Sequence, residues 1–256
     1  MRLVREYLPA LGVFVLGIAL WEAFVFLFAI EFYLLPAPHV IVASLRQSYP
    51  VLVEASLYTF GEALAGYGLG CGLGVLAAMG ASRSPAFAGL VLPYAIASAS
   101  VPIVALAPLA IVWFGIGPGS KIAIVALMTF FPTFIGTLRG LLSVDPRSLE
   151  LMRSVAASEW QVFWKLRLPH STPFMFTAFR ACTTLAMIGA VVSEFFGGPM
   201  KSLGVYIKST ASLFQTRQAW SAILVACLLG LAFYLAIALV ERLAVPWRVE
   251  RERARA

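Results

Sequence analysis

The chain has 256 residues, 61% of them hydrophobic and 12% charged, with a net charge of +7. A soluble domain is about 45–50% apolar and about 25% charged, so a water-soluble fold of this length is excluded: it could not hide so much apolar surface. The basic residues mostly flank apolar runs, which assigns them to membrane topology rather than to nucleic-acid binding.

Six membrane spans are predicted, at about 9–30, 57–80, 87–114, 121–139, 174–196 and 219–243, in one all-α transmembrane domain over 1–256. The first lies after the basic stretch "MRLVREYLPA". Its apolar run is too long for a signal peptide, and the adjoining "EFYLLPAP" is no obvious cleavage site, so a retained helix is expected. The second carries Gly66, Gly70 and Gly74 at i, i+4, i+8, with Gly68 and Gly72 beside them; such spacing makes a groove for another helix. The third contains Pro93, Pro102 and Pro108, which should kink or break it. "GIGPGSK" then reads as a tight turn into the fourth span. It is no phosphate loop, because Ser120 stands where G-x-x-x-x-G-K requires glycine.

Between the fourth and fifth spans lies the longest polar-rich stretch, "SLELMRSVAASEWQVFWKLRLPHSTP". Asp145 and Pro146 form a helix start, and Leu149, Met152 and Val155 recur at helical spacing. That helix should end near Ala156 and Ala157. Ser158 and Gln161 form a capping box for a second helix from Glu159, which carries Trp160, Phe163 and Leu166 and is expected to stop before Pro169. The result is a compact two-helix knob. Periodicity leaves open whether its apolar face lies on lipid or meets a protein.

With the N-terminus inside, Arg2, Arg5, Arg83, Arg139, Arg147, Arg153, Lys165, Arg167, Arg242, Arg248, Arg251, Arg253 and Arg255 fall in inner segments. Only Arg46, Lys121, Lys201, Lys208 and Arg217 fall outside. This bias places both termini and the knob in the cytoplasm. The tail "ERLAVPWRVERERARA" reads as a frayed basic end. Cys71, Cys182 and Cys227 lack metal spacing and read as small apolar packers. No catalytic motif is present, so any chemistry must come from a partner.

Glu22, Glu62, Arg180 and Glu194 fall in or near spans and must be paired, terminal or facing a polar cavity. Glu22 and Glu62 read as helix–helix polar contacts, and Arg180 as a side chain that snorkels to the interface. Glu194 and Ser193 sit near the outer end of the fifth span. With Ser98, Ser100, Thr183 and Thr184 they are the candidate lining residues of a path through spans three and five.

The polar stretch resembles the cytoplasmic signature of binding-protein-dependent ABC importer permeases, E-A-A-x3-G-x9-I-x-L-P. Glu150 occupies the E position, Leu151 and Met152 replace the alanines, Ala156 replaces Gly, Leu166 replaces Ile, and Leu168 and Pro169 match the ending. Alanine disfavours the left-handed bend that glycine permits, so an ordinary bend is expected here. "LLPAPHVI", "VPIVALAPLAIVWFGIGPGSKIAI" and "IGAVVSEFFGGPMKSLGVYI" are similar to segments of the nitrate/sulfonate/taurine-type permeases.

The resemblance implies a type I importer architecture in the cell membrane, with a cytoplasmic coupling helix in a loop at about 145–169. Its coupling residues would be Glu150, Arg153, Ser154, Ala156, Ala157 and Ser158, anchored by Leu166 and Pro169. It implies ABC ATPase subunits that bind ATP and Mg, an extracytoplasmic solute-binding protein, and a second copy of this chain. The chain itself would hold no cofactor or metal and catalyse nothing. The cargo would be a small solute such as a sulfonate, nitrate or heterocyclic vitamin precursor. The alternative is a self-contained secondary transporter or channel, but no duplicated halves with matched broken helices are visible.

Overall fold

The computed structural model describes residues 2–99 and 101–246, and among these the regular structure is helical. Eleven α-helices lie in order along the chain: α1 Arg2–Leu27, α2 Pro38–Gln47, α3 Tyr49–Ala81, α4 Pro85–Ala99, α5 Ala107–Phe114, α6 Pro118–Leu142, α7 Pro146–Ser154, α8 Glu159–Val162, α9 Leu168–Phe196, α10 Leu203–Ser212 and α11 Thr216–Ala244. In lipid every backbone polar group needs an internal partner, and a helix supplies it within one segment.

Among the described residues four helical stretches are long and apolar enough to cross a membrane: Tyr49–Ala81, Pro118–Leu142, Glu159–Phe196 and Thr216–Ala244. Two further apolar stretches are shorter, Leu11–Leu27 and Ala86–Ser98. The predicted third span is divided. Pro93 is carried inside α4, whereas the chain breaks around Pro102, continues as a 3-10 turn over Ile103–Leu106, and restarts as α5 with Pro108 in its first turn. A proline in the first turn removes only an N–H that has no helical partner, so Pro108 starts a helix instead of ending one.

The core is built from α3, α6 and α9. The glycine groove of α3 has its partner in the same chain, and that partner is α6. A methyl built on Gly66 would stand 2.5 Å from Val125 Cβ, and one on Gly74 would stand 2.8 Å from the Phe130 carbonyl oxygen. At Gly70 it would run into Thr129 Oγ1 and the Ala126 carbonyl. Gly68 and Gly72 meet nothing and face away. This pairing order makes α3 and α6 parallel. α9 runs antiparallel to both: Gly136 of α6 faces Ala178, and Gly140 faces Ser171. Thr133 joins the three helices, its Oγ1 lying 3.3 Å from Cys71 Sγ and 3.4 Å from Cys182 Sγ. Both thiols are thus packers at a buried seam, as expected, whereas Cys227 is exposed.

α11 lies against α9, and Phe233 inserts between Phe60 and Tyr67 of α3. Much of α1 and α11 presents large apolar side chains outward, including Phe14, Leu16, Leu20, Leu235 and Leu239. Glu22 on α1 pairs with His39 at the start of α2, a helix–helix polar contact of the expected kind. Arg180 does not snorkel. Its Nε bonds Glu241 Oε2 at 3.1 Å and so ties α9 to α11. The region read as a frayed tail therefore begins as ordered helix: Glu241 and Arg242 belong to α11, while residues 247–256 lie outside the described residues.

The alternation of filled and open glycines makes a direct test. Gly70→Ala is expected to push α3 from α6 and cost about 1–3 kcal/mol. Gly72→Ala, on the open face, should be neutral or gain up to about 1 kcal/mol from helix propensity. Unfolding in detergent, monitored by circular dichroism, separates the two.

Candidate functional site

The polar stretch folds as an exposed elbow between α6 and α9. Pro146 begins α7, and Asp145 Oδ1 caps it by accepting from the Arg147 N–H at 2.9 Å. Leu151 and Val155 are about two-thirds exposed, at 67% and 66%. α7 closes at Ser154 with the backbone bonds of a Schellman motif: the Ala156 N–H reaches Arg153 O at 2.9 Å and the Ala157 N–H reaches Met152 O at 3.0 Å. This closure requires a left-handed residue, and Ala156 supplies it at φ +55°. The expectation of an ordinary bend is therefore corrected. Two satisfied carbonyls and the start of the next helix outweigh a Cβ clash worth about 1–2 kcal/mol. The same position carries glycine in the importer signature.

Ser158 then caps α8 through the expected capping box. Its Oγ accepts from the Gln161 N–H at 3.3 Å, and the Gln161 side chain accepts from the Ser158 N–H at 2.9 Å. The second helix does not stop before Pro169. A π turn over Phe163–Arg167 joins α8 to α9, with the Leu168 N–H donating to Phe163 O. Proline cannot donate, and its ring crowds the carbonyl four residues back; widening one turn eases that clash and lets the helix pass. Elbow and membrane helix are one hydrogen-bonded stretch, Glu159–Phe196. Val144 and Val162 are buried at the elbow's base, whereas Glu150, Arg153, Ser154, Ala156 and Pro169 are exposed; Ala157 and Leu166 are half-buried. Ser158 is exposed as well. The predicted coupling residues are thus gathered on one projecting unit and its root.

At the opposite end of the bundle a polar knot joins α3, α9 and α10. Glu194 is fully buried and accepts from Thr59 Oγ1 at 2.8 Å and from the Gly204 N–H at 2.6 Å. Thr59 Oγ1 in turn accepts from the Leu203 N–H at 2.9 Å. These N–H groups belong to the first turn of α10, where a helix lacks internal acceptors and favours negative charge. Gly204 permits the approach, since a methyl there would stand 2.6 Å from Glu194 Cβ. Glu62, one turn from Thr59, is buried, and neither carboxylate oxygen has a hydrogen-bond partner among the described residues. Lys121 is also buried. It folds over the turn before α6, and its Nζ donates to Ile116 O at 2.5 Å, Gly117 O at 3.3 Å and Ser120 Oγ at 3.2 Å.

The candidate lining residues have different surroundings. Ser98, Thr183 and Ser193 spend their hydroxyls on their own helices, bonding Tyr94 O at 2.8 Å, Arg180 O at 2.7 Å and Ala190 O at 2.9 Å. Thr184 opens on an apolar groove between α9 and α11 that also includes Met187, Ile188 and Cys227. Ser100 lies outside the described residues. Glu194 belongs to the knot. Sequence reasoning missed its partners, Thr59 and the α10 backbone, because no local pattern marks a bond across 135 residues. The one available signal was Gly204 after "PMKSL", a small residue beside a buried carboxylate.

A bundle of membrane-length helices with a polar elbow projecting from one end is the architecture of a transport permease. The fold is similar to that in a crystal structure of an amino acid ABC transporter with histidines, at TM-score 0.61 and 16% identity, over 78% of this chain and 97% of that one. Residues 70–247 match the family of binding-protein-dependent transport system inner membrane components, and the chain belongs to it. A formylaminopyrimidine transport permease protein of Halalkalibacterium halodurans is 31% identical over 84% of this chain and 86% of its own. A riboflavin transport system permease protein of Chloroflexus aurantiacus is 32% identical over 93% and 91%. A putative aliphatic sulfonates transport permease protein of Bacillus subtilis is 28% identical over 90% and 84%. The chain is a multi-pass membrane component of an ABC importer of the kind the sequence resembled.

Two substitutions probe the two ends. Ala156→Gly should stabilise the elbow by about 1 kcal/mol by removing the Cβ clash, and slow amide exchange across α7 and α8 roughly fivefold. Thr59→Val keeps the shape but leaves Glu194 Oε1 and the Leu203 N–H without their partner, and should cost about 1–3 kcal/mol in thermal unfolding; Thr59→Ser should restore most of it.

Proposed function

We propose that this permease is driven by separate ATPase subunits that grip the elbow, and that it imports a small heterocyclic vitamin precursor delivered by an extracytoplasmic binding protein. The single observation that carries the reading is the elbow itself. It is capped at both helix starts, closed by a Schellman motif, continuous with a membrane helix, and tipped with exposed Leu151 and Val155. An exposed apolar tip on a stiffened polar unit suits a protein cleft, and packed elements shift between discrete arrangements. The printed names of two relatives, for formylaminopyrimidine and riboflavin, support the solute class. Membership of the importer family removes the support for a self-contained transporter.

In this reading ATP and Mg bind to the ATPase and not to this chain. Glu150, Arg153, Ser154, Ala156, Ala157 and Ser158 meet the ATPase, while Leu166 and Pro169 root the unit on α9. The elbow and both termini face the cytoplasm, in line with the bias of arginine and lysine. A second copy of the chain completes the assembly, since closed twofold pairs are the commonest arrangement. Glu194 and Ser193 stand near the outer end of α9, where an extracytoplasmic gate would lie.

Replacing Glu150, or introducing Ala157→Pro, is expected to leave the chain in the membrane and ATP hydrolysis by the complex running, while uptake falls at least tenfold. Uptake and hydrolysis measured together in proteoliposomes decide the matter: normal uptake by both variants refutes the coupling role.

A further inference from the structure

A cavity of about 900 Å³ lies beside the elbow, between the end of α3 and the start of the α8–α9 stretch. Its polar end holds Arg83 and Arg167 together with Glu159. Neither arginine forms an ion pair among the described residues, whose only salt bridges are His39–Glu22 and Arg180–Glu241. Trp160, Phe163 and Trp164 form its aromatic wall, with ring centroids 5.4 Å apart for the tryptophan pair and 5.7 Å for Phe163 and Trp164.

The opposite wall is a strip of one helix face. On this side the cavity is lined by Leu76, Met79, Gly80, Ser82 and Arg83; beyond it along α3, Leu73 and Leu69 continue the face of Leu76 at helical spacing, and Leu76, Leu73 and Leu69 are 65%, 50% and 49% exposed. Gly80 has nothing within 4 Å of where a side chain would start, so the strip is open there. The cavity thus brings together guanidinium groups without an ion pair, indole rings and Leu76, whose helix face continues outside the cavity as exposed leucines.

We propose that this cavity binds a phospholipid with an anionic headgroup. The geometry selects that ligand from three sides. Guanidinium groups suit phosphate oxygens, which they can grip two at a time. Tryptophans mark the membrane–water boundary, where headgroups lie. The leucine strip continues into the hydrocarbon depth and takes an acyl chain, which a free phosphate ion lacks. Such a site is additional to the transport path and does not depend on which solute is carried. The bound lipid would wedge the root of the elbow against α3 and so hold the elbow at a fixed angle to the bundle.

The test uses the full chain in nanodiscs of phosphatidylcholine with phosphatidylglycerol, with retained lipid counted by native mass spectrometry. Wild type is expected to keep phosphatidylglycerol over phosphatidylcholine. Arg83→Gln and Arg167→Gln should each weaken that preference about fivefold, and Trp160→Ala should weaken it as well. Lys165→Gln, whose side chain lies outside the cavity, should leave it unchanged. Circular dichroism and elution volume confirm that each variant is folded. Equal retention by folded wild type and arginine variants would overturn the proposal. Displacement of the lipid by millimolar inorganic phosphate would give the site to a free anion, and loss of the lipid on adding the ATPase subunits would give it to them; either result also overturns it.

Discussion

The contact on which the structure depends is the approach of α3 to α6 along Gly66, Gly70 and Gly74. Between helices in lipid there is no hydrophobic drive, because acyl chains are as apolar as leucine; association rests on how closely two backbones can pack. Those three glycines put backbone against backbone. Gly136 and Gly140 repeat the device on the other side of α6 and bring α9 in. α6 is therefore the central post, and the Thr133 hydroxyl between two thiols closes the three-helix seam.

That seam fixes two polar features at opposite ends of the same helix. The elbow leads into α9 at one end, and Glu194 sits in the last turn at the other. Glu194 is held by donors from α3 and α10, so the knot adds α10 to the two helices that the glycine seam already holds together. Near the elbow end, the Arg180–Glu241 pair ties α11 to α9. A buried ion pair is weak evidence for net stability, but losing one partner leaves an isolated charge in an apolar setting. The pair therefore serves to fix α11 against α9.

What could be read from the sequence was what local spacing encodes. The glycine period announced a helix contact, Asp145 and Ser158 announced their caps, and Pro102 announced the break in the third span. What could not be read were outcomes of competition. Pro169 looked like a stop, yet a π turn absorbs it. Ala156 looked unable to bend left, yet the closing bonds of α7 take it there. Arg180 looked bound for the interface, yet Glu241, sixty-one positions on, was waiting for it. The Thr59–Glu194–Gly204 knot joins positions that no window spans. For Arg180 and Glu194 the missing term was a partner supplied by the tertiary fold; for Pro169 and Ala156 it was a local backbone bond that outweighed the residue's own preference. Of the candidate lining residues, Ser98, Thr183 and Ser193 bond nearby carbonyls of their own helices, the commonest use of a hydroxyl inside a helix.

The π turn at Phe163–Arg167 has a mechanical consequence. A loop or a broken helix between elbow and span would act as a hinge and let the elbow swivel idly. Here the helical backbone runs on from the elbow into the span, lacking donors only at Pro169 and Pro173, so there is no loop to swivel on and a displacement at Trp160 would be carried along α9. At the far end of the same helix the Glu194 carboxylate is pinned by Thr59 and Gly204, so any such movement would have to strain those two bonds.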